Sequence, residues 1–202
     1  DASLRGSIVH AALGRFADTY PEELPTDCGA ELLRLATEIF REYRSHPRVA
    51  AFWMQRFERF AAWFGEMEPN LRRGIVKSLS EVNGAMILDA PAGPFKLTAR
   101  ADRVDVGEQA LMITDYKTGA SLNTLAAQAK RGEAPQLALE AAIAAANGFA
   151  HVPELPVQRL QYISASGGEP PGAVAELKLD DIAAHAEQAR SDLQRLVAQF
   201  DD

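Results

Sequence analysis

The sequence LTARADRVDVGEQALMITDYKTG occupies residues 97–119 and has the pattern of a β-hairpin. Residues 95–106 alternate apolar and polar side chains, and residues 110–116 form a short apolar run that ends in charge. Residues 107–109, Gly-Glu-Gln, supply the turn between the two predicted strands. The stretch therefore predicts two antiparallel strands joined by a short loop.

Two aspartates are predicted to face each other across this hairpin. If the chain turns around Glu108 and Gln109, Asp102 lies opposite Asp115. Opposed residues have Cβ atoms about 4.5–5.5 Å apart, where like charges destabilise the pair. A divalent cation such as Mg²⁺ would compensate, because it binds carboxylate oxygens and keeps several waters. Lys117, two residues after Asp115, points to the same face.

A metal ion held by two carboxylates beside a lysine suits phosphodiester hydrolysis. The ion lowers the pKa of a bound water and polarises a phosphoryl oxygen, and the ammonium can hold or activate the attacking water. Each residue also has an ordinary interpretation. Asp102 and Asp105 can be exposed strand charges paired with neighbouring arginines, and Lys117 can be a turn lysine. Asp115 ends a buried run, where an unpaired carboxylate is costly.

This set of residues resembles the core motif of the PD-(D/E)XK nuclease superfamily. Asp102, followed thirteen residues later by the segment 115–117, Asp-Tyr-Lys, matches its D…(D/E)xK pattern, and DYKTG is similar to the RecB/AddB branch. In that branch an early helix carries Gly-x-x-x-His, which residues 6–10 match, and a helix after the hairpin carries a glutamine, which Gln136 matches. The resemblance extends from Gly6 to Gln136, about two-thirds of the chain.

The resemblance implies a metal centre that holds one or two Mg²⁺ or Mn²⁺ ions. Asp102 and Asp115 would bind the metal, with the backbone carbonyl of Tyr116 as a further oxygen ligand. His10 would lie on the metal side or the phosphate side of the site, with its imidazole as a ligand. Glu81 lies where the family often places a glutamate that faces the metal, although it can equally be a surface residue beside a turn.

The resemblance also assigns catalytic roles outside the metal ligands. Lys117 would orient the water that attacks phosphorus, and Gln136 would reach a phosphate or a metal-bound water. Many relatives place a tyrosine four residues after this glutamine, but this chain has Glu140 there. We expect Glu140 to face solvent.

At the level of function, the resemblance implies the nuclease domain of a bacterial, cytoplasmic helicase–nuclease. Such an enzyme resects DNA double-strand breaks for recombinational repair, and this chain would act on DNA together with a helicase or nuclease partner subunit or with other domains of the same longer chain. Asp1 is not a start methionine, so we expect a fragment of a longer protein. Two alternatives stay open: an inactive module that binds DNA ends or a partner, and a stand-alone RecB-like exonuclease.

Composition limits these possibilities. The 202 residues and 47% hydrophobic content suit one α/β domain over 1–202, mainly helical over 1–73, with a mixed sheet and flanking helices over 74–202. The sequence contains no run of eighteen apolar residues, so it predicts no membrane-spanning helix. Some AddB-type domains hold an iron–sulfur cluster through four cysteines, which a chain with only Cys28 cannot do. The net charge of −7 argues against broad attraction to a polyanion and leaves only local basic clusters for DNA.

Periodicity predicts the remaining elements. The expected helices are 3–20, 29–43, 49–64, 121–130, 134–146 and 181–200, and the expected strands outside the hairpin are 75–81, 85–88, 157–163 and 173–177. Asn83 and Gly84 are the predicted turn between two of these strands, and residues 45–47, Ser-His-Pro, are the predicted break between the second and third helices. Aromatic residues of the helix 49–64 alternate with Arg56 and Arg59, which fits either base stacking or a helix–helix seam.

Overall fold

The computed structural model describes residues 2–42, 47–119 and 121–200. Its elements in chain order are α1 Ala2–Thr19, α2 Cys28–Glu42, α3 Pro47–Leu71, β1 Ile75–Leu88, β2 Phe95–Gly107, β3 Leu111–Lys117, α4 Leu122–Lys130, α5 Gln136–Ala145, β4 Val157–Ser164, β5 Ala173–Glu176 and α6 Ile182–Phe200. Of the predicted break, Ser45 and His46 lie outside the described residues, as does Arg44. None of the described helices has the length and apolar character needed to cross a membrane.

The five strands form one mixed sheet in the order β1-β2-β3-β4-β5. Strand β3 pairs with β4 in parallel, and the other three pairs are antiparallel. One hydrophobic cluster joins the sheet to α4, α5 and α6, and a second joins α1, α2 and α3 to the sheet through Tyr116 and Ile163. The predicted α/β class, a central mixed sheet flanked by helices, is confirmed.

The predicted hairpin is confirmed with its register. Arg103 pairs with Thr114 and Val106 pairs with Leu111, while the Gly107 N–H donates to the carbonyl of Ala110 across the turn. The regular pairing ends at Arg103 and Thr114, so the next facing position is that of the two aspartates.

The predicted turn at Asn83 and Gly84 is wrong, because β1 runs unbroken from Ile75 to Leu88. Gly84 is required by packing instead. A Cβ atom there would lie 2.4 Å from the Phe149 ring and 2.8 Å from an Ile143 methyl carbon, so a side chain would clash with the segment that crosses this strand. Strand β1 is irregular at two places: its register with β2 shifts between Ile75 and Lys77, and Glu81 has a φ of 50°, which is unusual for a residue with a side chain.

Helix α3 is longer at its C-terminal end than predicted. The pattern places its end at Phe64, with a connection from residue 67, whereas the helix continues to Leu71 and includes Pro69. Pro69 lacks the N–H that would bond to Gly65, one turn earlier. Gly65 is also where α3 meets α2, since a Cβ atom on it would lie 3.0 Å from the backbone nitrogen of Gly29.

A buried ion network holds the last turn of α3 against the sheet. Glu68 accepts hydrogen bonds from Arg72 and from Arg103 of β2, both at 2.8 Å, and Arg103 also pairs with Asp105 at 2.8 Å. Arg103 further donates to the Tyr116 hydroxyl at 3.2 Å. The two arginines and two carboxylates are all buried. The network therefore excludes the exposed role that the sequence suggested for Asp105.

We expect Arg103→Met to lower the free energy of unfolding by about 3–5 kcal/mol, since it leaves the carboxylates of Glu68 and Asp105 buried without their shared cation. Urea denaturation monitored by circular dichroism measures the change. Arg100→Met is the matched control on the same strand. Its exposed pair with Glu81 is worth about 0–1 kcal/mol. Equal midpoints for the two variants would contradict the role assigned to the network.

Candidate functional site

Three carboxylates lie side by side across the first three strands. The β1–β2 register pairs Ser80 with Arg103 and Val82 with Ala101, which places Glu81 opposite Asp102. The β2–β3 register continues to the facing position of Asp115. We call Glu81, Asp102 and Asp115 the acidic row.

Asp102 takes over the contact between β2 and β3 where their regular pairing stops. Its Oδ2 atom accepts a hydrogen bond of 2.8 Å from the backbone N–H of Tyr116. Its other oxygen lies 3.2 Å from His10 Nδ1 on α1. The carboxylate thus connects the first helix to the end of the hairpin, and neither the exposed interpretation nor an arginine pair describes it.

His10 lies close to two members of the acidic row. One potential ligand atom each from His10, Glu81 and Asp102 lie within 4.8 Å of one another. The hydrogen bond to Asp102 raises the pKa of the imidazole, partial burial opposes this, and the charges of Asp102, Asp115 and Glu81 raise it further. Metal binding at this histidine would therefore compete with its protonation.

Glu81 is partly exposed and forms an ion pair with Arg100 at 2.7 Å. A carboxylate oxygen of Glu81 already lies near the potential ligand atoms of His10 and Asp102. The exposed pair with Arg100 is weak and opposes metal binding little. The predicted alternative, a residue beside a turn, does not apply because the turn is absent.

Asp115 is buried, and two polar side chains hold its carboxylate. Lys117 Nζ lies 2.8 Å from Oδ2, and the Gln136 side-chain nitrogen donates to Oδ1 at 2.7 Å. Burial raises the pKa of Asp115, the hydrogen bond from Lys117 opposes that rise, and Asp102 adds to it. Lys117 also contacts the amide oxygen of Gln136 at 3.3 Å. The three residues therefore form a closed set of contacts.

Glu140 does not face solvent as expected; it is only 2% exposed. Gln136 donates to its Oε1 atom at 3.2 Å, and its Oε2 atom is buried with no hydrogen-bond partner among the described residues. Burial raises the pKa of Glu140 to about 8, and the negative charges of Asp115 and Asp102 contribute. The sequence contains a signal for this position, since residues four apart on a helix share a face and Gln136 faces the site.

The site residues proposed from the sequence fall into two groups that meet at the hairpin. His10, Glu81 and Asp102 form one group, and Asp115, Lys117 and Gln136 form the other. The N–H of Tyr116, next to Asp115, bonds to Asp102 and joins the groups. Carboxylate oxygens with one imidazole are donors that suit Mg²⁺ or Mn²⁺. The metal-binding role of the Tyr116 carbonyl stays a prediction.

Comparisons with known proteins identify one family. A family model described as the PD-(D/E)XK nuclease superfamily matches residues 1–202. A search of the curated proteins finds no match. Among solved structures 12 chains match. One, titled "Crystal structure of SSO0001", is 12% identical, and the match covers 91% of this chain and 85% of that chain with a TM-score of 0.37. The conclusion about the family rests on the family model, which spans the whole chain.

Glu140 is expected to make stability depend on pH. Because burial raises its pKa from an ordinary 4.5 to about 8, the folded chain keeps a proton that the unfolded chain loses between these values. The contribution of Glu140 to the unfolding free energy is therefore highest in acid and falls as the pH rises to about 8. Glu140→Gln cannot titrate and should lose this slope.

Chemical denaturation at about pH 5 and about pH 8 measures the effect. The stability of Glu140→Gln relative to the parent should rise by about 3 kcal/mol between the two conditions, since one pKa unit corresponds to about 1.4 kcal/mol. The exposed Glu154, changed to glutamine, is the control. A difference that does not vary with pH would show that Glu140 is already ionised in the folded chain.

Proposed function

Because the chain belongs to the PD-(D/E)XK nuclease superfamily, we propose that it is a DNA nuclease that hydrolyses phosphodiester bonds with Mg²⁺ or Mn²⁺. The observation that carries this proposal is the meeting of the two residue groups at the hairpin. Asp102 contacts His10 at 3.2 Å, and Asp115 contacts Lys117 at 2.8 Å. The carboxylates that would bind a metal, and the lysine ammonium that would orient the attacking water, thus lie on the adjacent strands β2 and β3.

Asp102 and Asp115 would hold the metal, with His10, Glu81 and the backbone carbonyl of Tyr116 as further ligands. When bound, the ion would lower the pKa of a coordinated water and polarise the scissile phosphate. The N–H of Tyr116 fixes the orientation of the Asp102 carboxylate. A ligand that is already oriented loses less conformational freedom when the metal binds, which favours a defined geometry.

Lys117 and Gln136 would act on the water and the phosphate. The ammonium of Lys117 lies 2.8 Å from Asp115 and 3.3 Å from the Gln136 amide oxygen, so its position is set from two sides. From there it would orient the attacking water and stabilise the charge that develops on the phosphoryl oxygens. Gln136 donates to Asp115 with its nitrogen, and its exposed position leaves it able to reach a phosphate.

We further propose the biological setting that the RecB/AddB resemblance implies. In that setting the chain is the exonuclease part of a bacterial, cytoplasmic helicase–nuclease that resects double-strand breaks for recombinational repair, and it works with a partner subunit or with other domains of a longer chain. The DYKTG segment, the Gly6–His10 spacing and Gln136 support this placement. The single cysteine, Cys28, leaves no ligand set for an iron–sulfur cluster.

We expect Asp115→Ala and Lys117→Ala to abolish metal-dependent cleavage while the domain stays folded. The first change removes a metal ligand, and the second removes the group that orients the water; loss of one such group costs about 10²–10³-fold in rate. End-labelled linear DNA, single- and double-stranded, incubated with Mg²⁺ or with EDTA provides the assay. The exposed residues Asp180 and Lys130, changed to alanine, are matched controls. Normal cleavage by either site variant would remove the assignment.

Metal binding is testable without cleavage. Mg²⁺ or Mn²⁺ should raise the melting temperature of the parent chain, because a ligand that binds only the native state stabilises it. Asp102→Asn should lose most of this shift, whereas Asp180→Asn should retain it. A shift in the parent without any cleavage would indicate an assembled site that needs a partner. The absence of both would favour a non-catalytic module.

A further inference from the structure

Four side chains near the beginning of α3 form a cluster that the proposed chemistry does not use. The rings of Phe52 and Trp53 lie 5.3 Å apart in an edge-to-face arrangement. The Arg56 guanidinium lies 5.6 Å from the centre of the Phe52 ring and 5.5 Å from that of Trp53. On α1, the Arg5 guanidinium lies 4.7 Å from the Trp53 ring centre. We call these four residues the aromatic platform.

Core packing accounts for Trp53, which packs against the hydrophobic cluster of α1, α2 and α3, but not for Phe52. The later aromatic residues of α3, Phe57, Phe60 and Phe64, are buried against α1 and α2, as expected for a helix–helix seam. Phe52 is 57% exposed instead. The exposed ring of Phe52, with the Arg56 guanidinium beside it, is accessible to a ligand.

The platform lies beside the proposed catalytic residues. The Arg5 guanidinium donates a hydrogen bond to the carbonyl of Thr118, the residue that follows Lys117. A Cβ atom on Gly119 would lie 3.0 Å from the same guanidinium, so this residue passes directly under Arg5. Helix α1 thus carries both Arg5 and His10, five residues apart, to the end of β3. A DNA strand bound at the acidic row would therefore be long enough to contact the platform as well.

The charge of the platform is suited to an anion. Arg5 and Arg56 repel each other: burial lowers the pKa of Arg5, and the charge of Arg56 lowers it further. Among the residues that the structure describes, no carboxylate forms an ion pair with either arginine. A bound phosphate would relieve the repulsion.

We propose that the aromatic platform binds unpaired bases of single-stranded DNA next to the phosphate that is cleaved. Bases stack on Phe52 and Trp53, and the adjoining backbone phosphate lies between Arg5 and Arg56. This inference rests on the proposed nuclease function and deepens it, because it makes a single-stranded end the form of DNA that enters the site. Base–aromatic stacking tolerates any sequence, since every base has a π-face. Duplex DNA keeps its bases paired and gains nothing from the rings.

Binding measured without metal separates the platform from catalysis. Fluorescence anisotropy of a labelled single-stranded oligonucleotide is recorded in EDTA with the 202-residue chain. We expect Phe52→Ala to weaken binding about 5- to 150-fold, which corresponds to about 1–3 kcal/mol per stacked base. Arg56→Gln should weaken it and also reduce its salt dependence, because one phosphate contact is lost. Phe200→Ala, at another exposed phenylalanine on α6, and Arg73→Gln, at the other end of α3, should have no effect.

An abasic oligonucleotide of the same length and charge, together with a blunt duplex, tests the stacking itself. Phe52→Ala should not weaken binding to either ligand, whereas Arg56→Gln should weaken binding to the abasic strand. Equal affinity of the parent and Phe52→Ala for single strands, or an equal loss on the abasic strand, would overturn the inference.

The two proposals fail differently. A parent chain that shows neither Mg²⁺-dependent cleavage nor a metal-induced rise in melting temperature, but loses single-strand binding on Phe52→Ala, would overturn the nuclease function and support the platform. A parent chain that cleaves DNA while Phe52→Ala binds and cleaves as the parent does would overturn the platform and support the nuclease function.

Discussion

The buried pairing of Glu68 with Arg103 is the interaction on which the geometry of the site depends. Burying an ion costs several kcal/mol unless it finds its partner, so a register in which Arg103 misses Glu68 is strongly disfavoured. A slip of one residue in β2 would move every side chain to the opposite face. Asp102 is adjacent to Arg103 and therefore points away from the network when Arg103 points into it. The network that fastens α3 to the sheet thereby also keeps Asp102 in the acidic row.

The hairpin passes this constraint on to β3. The Tyr116 hydroxyl accepts a hydrogen bond from Arg103, and the Tyr116 N–H donates one to Asp102. Tyr116 is therefore bonded to two adjacent residues of β2 whose side chains point to opposite faces. Asp115 and Lys117, on either side of Tyr116, are then held on the face of the sheet that is turned toward α5. Gln136 and Glu140 complete that face. The acidic residues tolerate one another because each is balanced in a different way: Asp102 by His10 and an amide, Asp115 by Lys117 and Gln136, and Glu140 by retaining its proton.

The sequence predicts those features that are set by neighbouring residues. The hairpin and its register follow from alternation and a short turn, and the facing aspartates follow from the register. The turn at Asn83 and Gly84 is predicted wrongly because the glycine is required by Phe149, a residue 65 positions away that no local pattern reveals. The end of α3 is missed for the same reason, since Glu68 is held by Arg103. Only the family resemblance predicts that His10 lies in the same site as Asp102. The exposed position predicted for Glu140 is wrong. Charged side chains are usually exposed, but the four-residue spacing from Gln136 puts Glu140 on the helix face that points toward the site.

A net charge of −7 argues against general attraction to a polyanion, but net charge does not describe the site. A divalent ion would neutralise the carboxylates of the acidic row. The Arg5 guanidinium lies at the adjoining end of β3, and neither it nor that of Arg56 has a carboxylate partner in the part of the chain that the structure describes. Helix α3 carries both regions. Its last turn contacts the hairpin through Glu68, and its first turns carry Phe52, Trp53 and Arg56, about 18–24 Å from Glu68 along the helix axis. The same helix that orients the acidic row therefore also positions the surface that an unpaired strand would contact. A separate basic channel is not required.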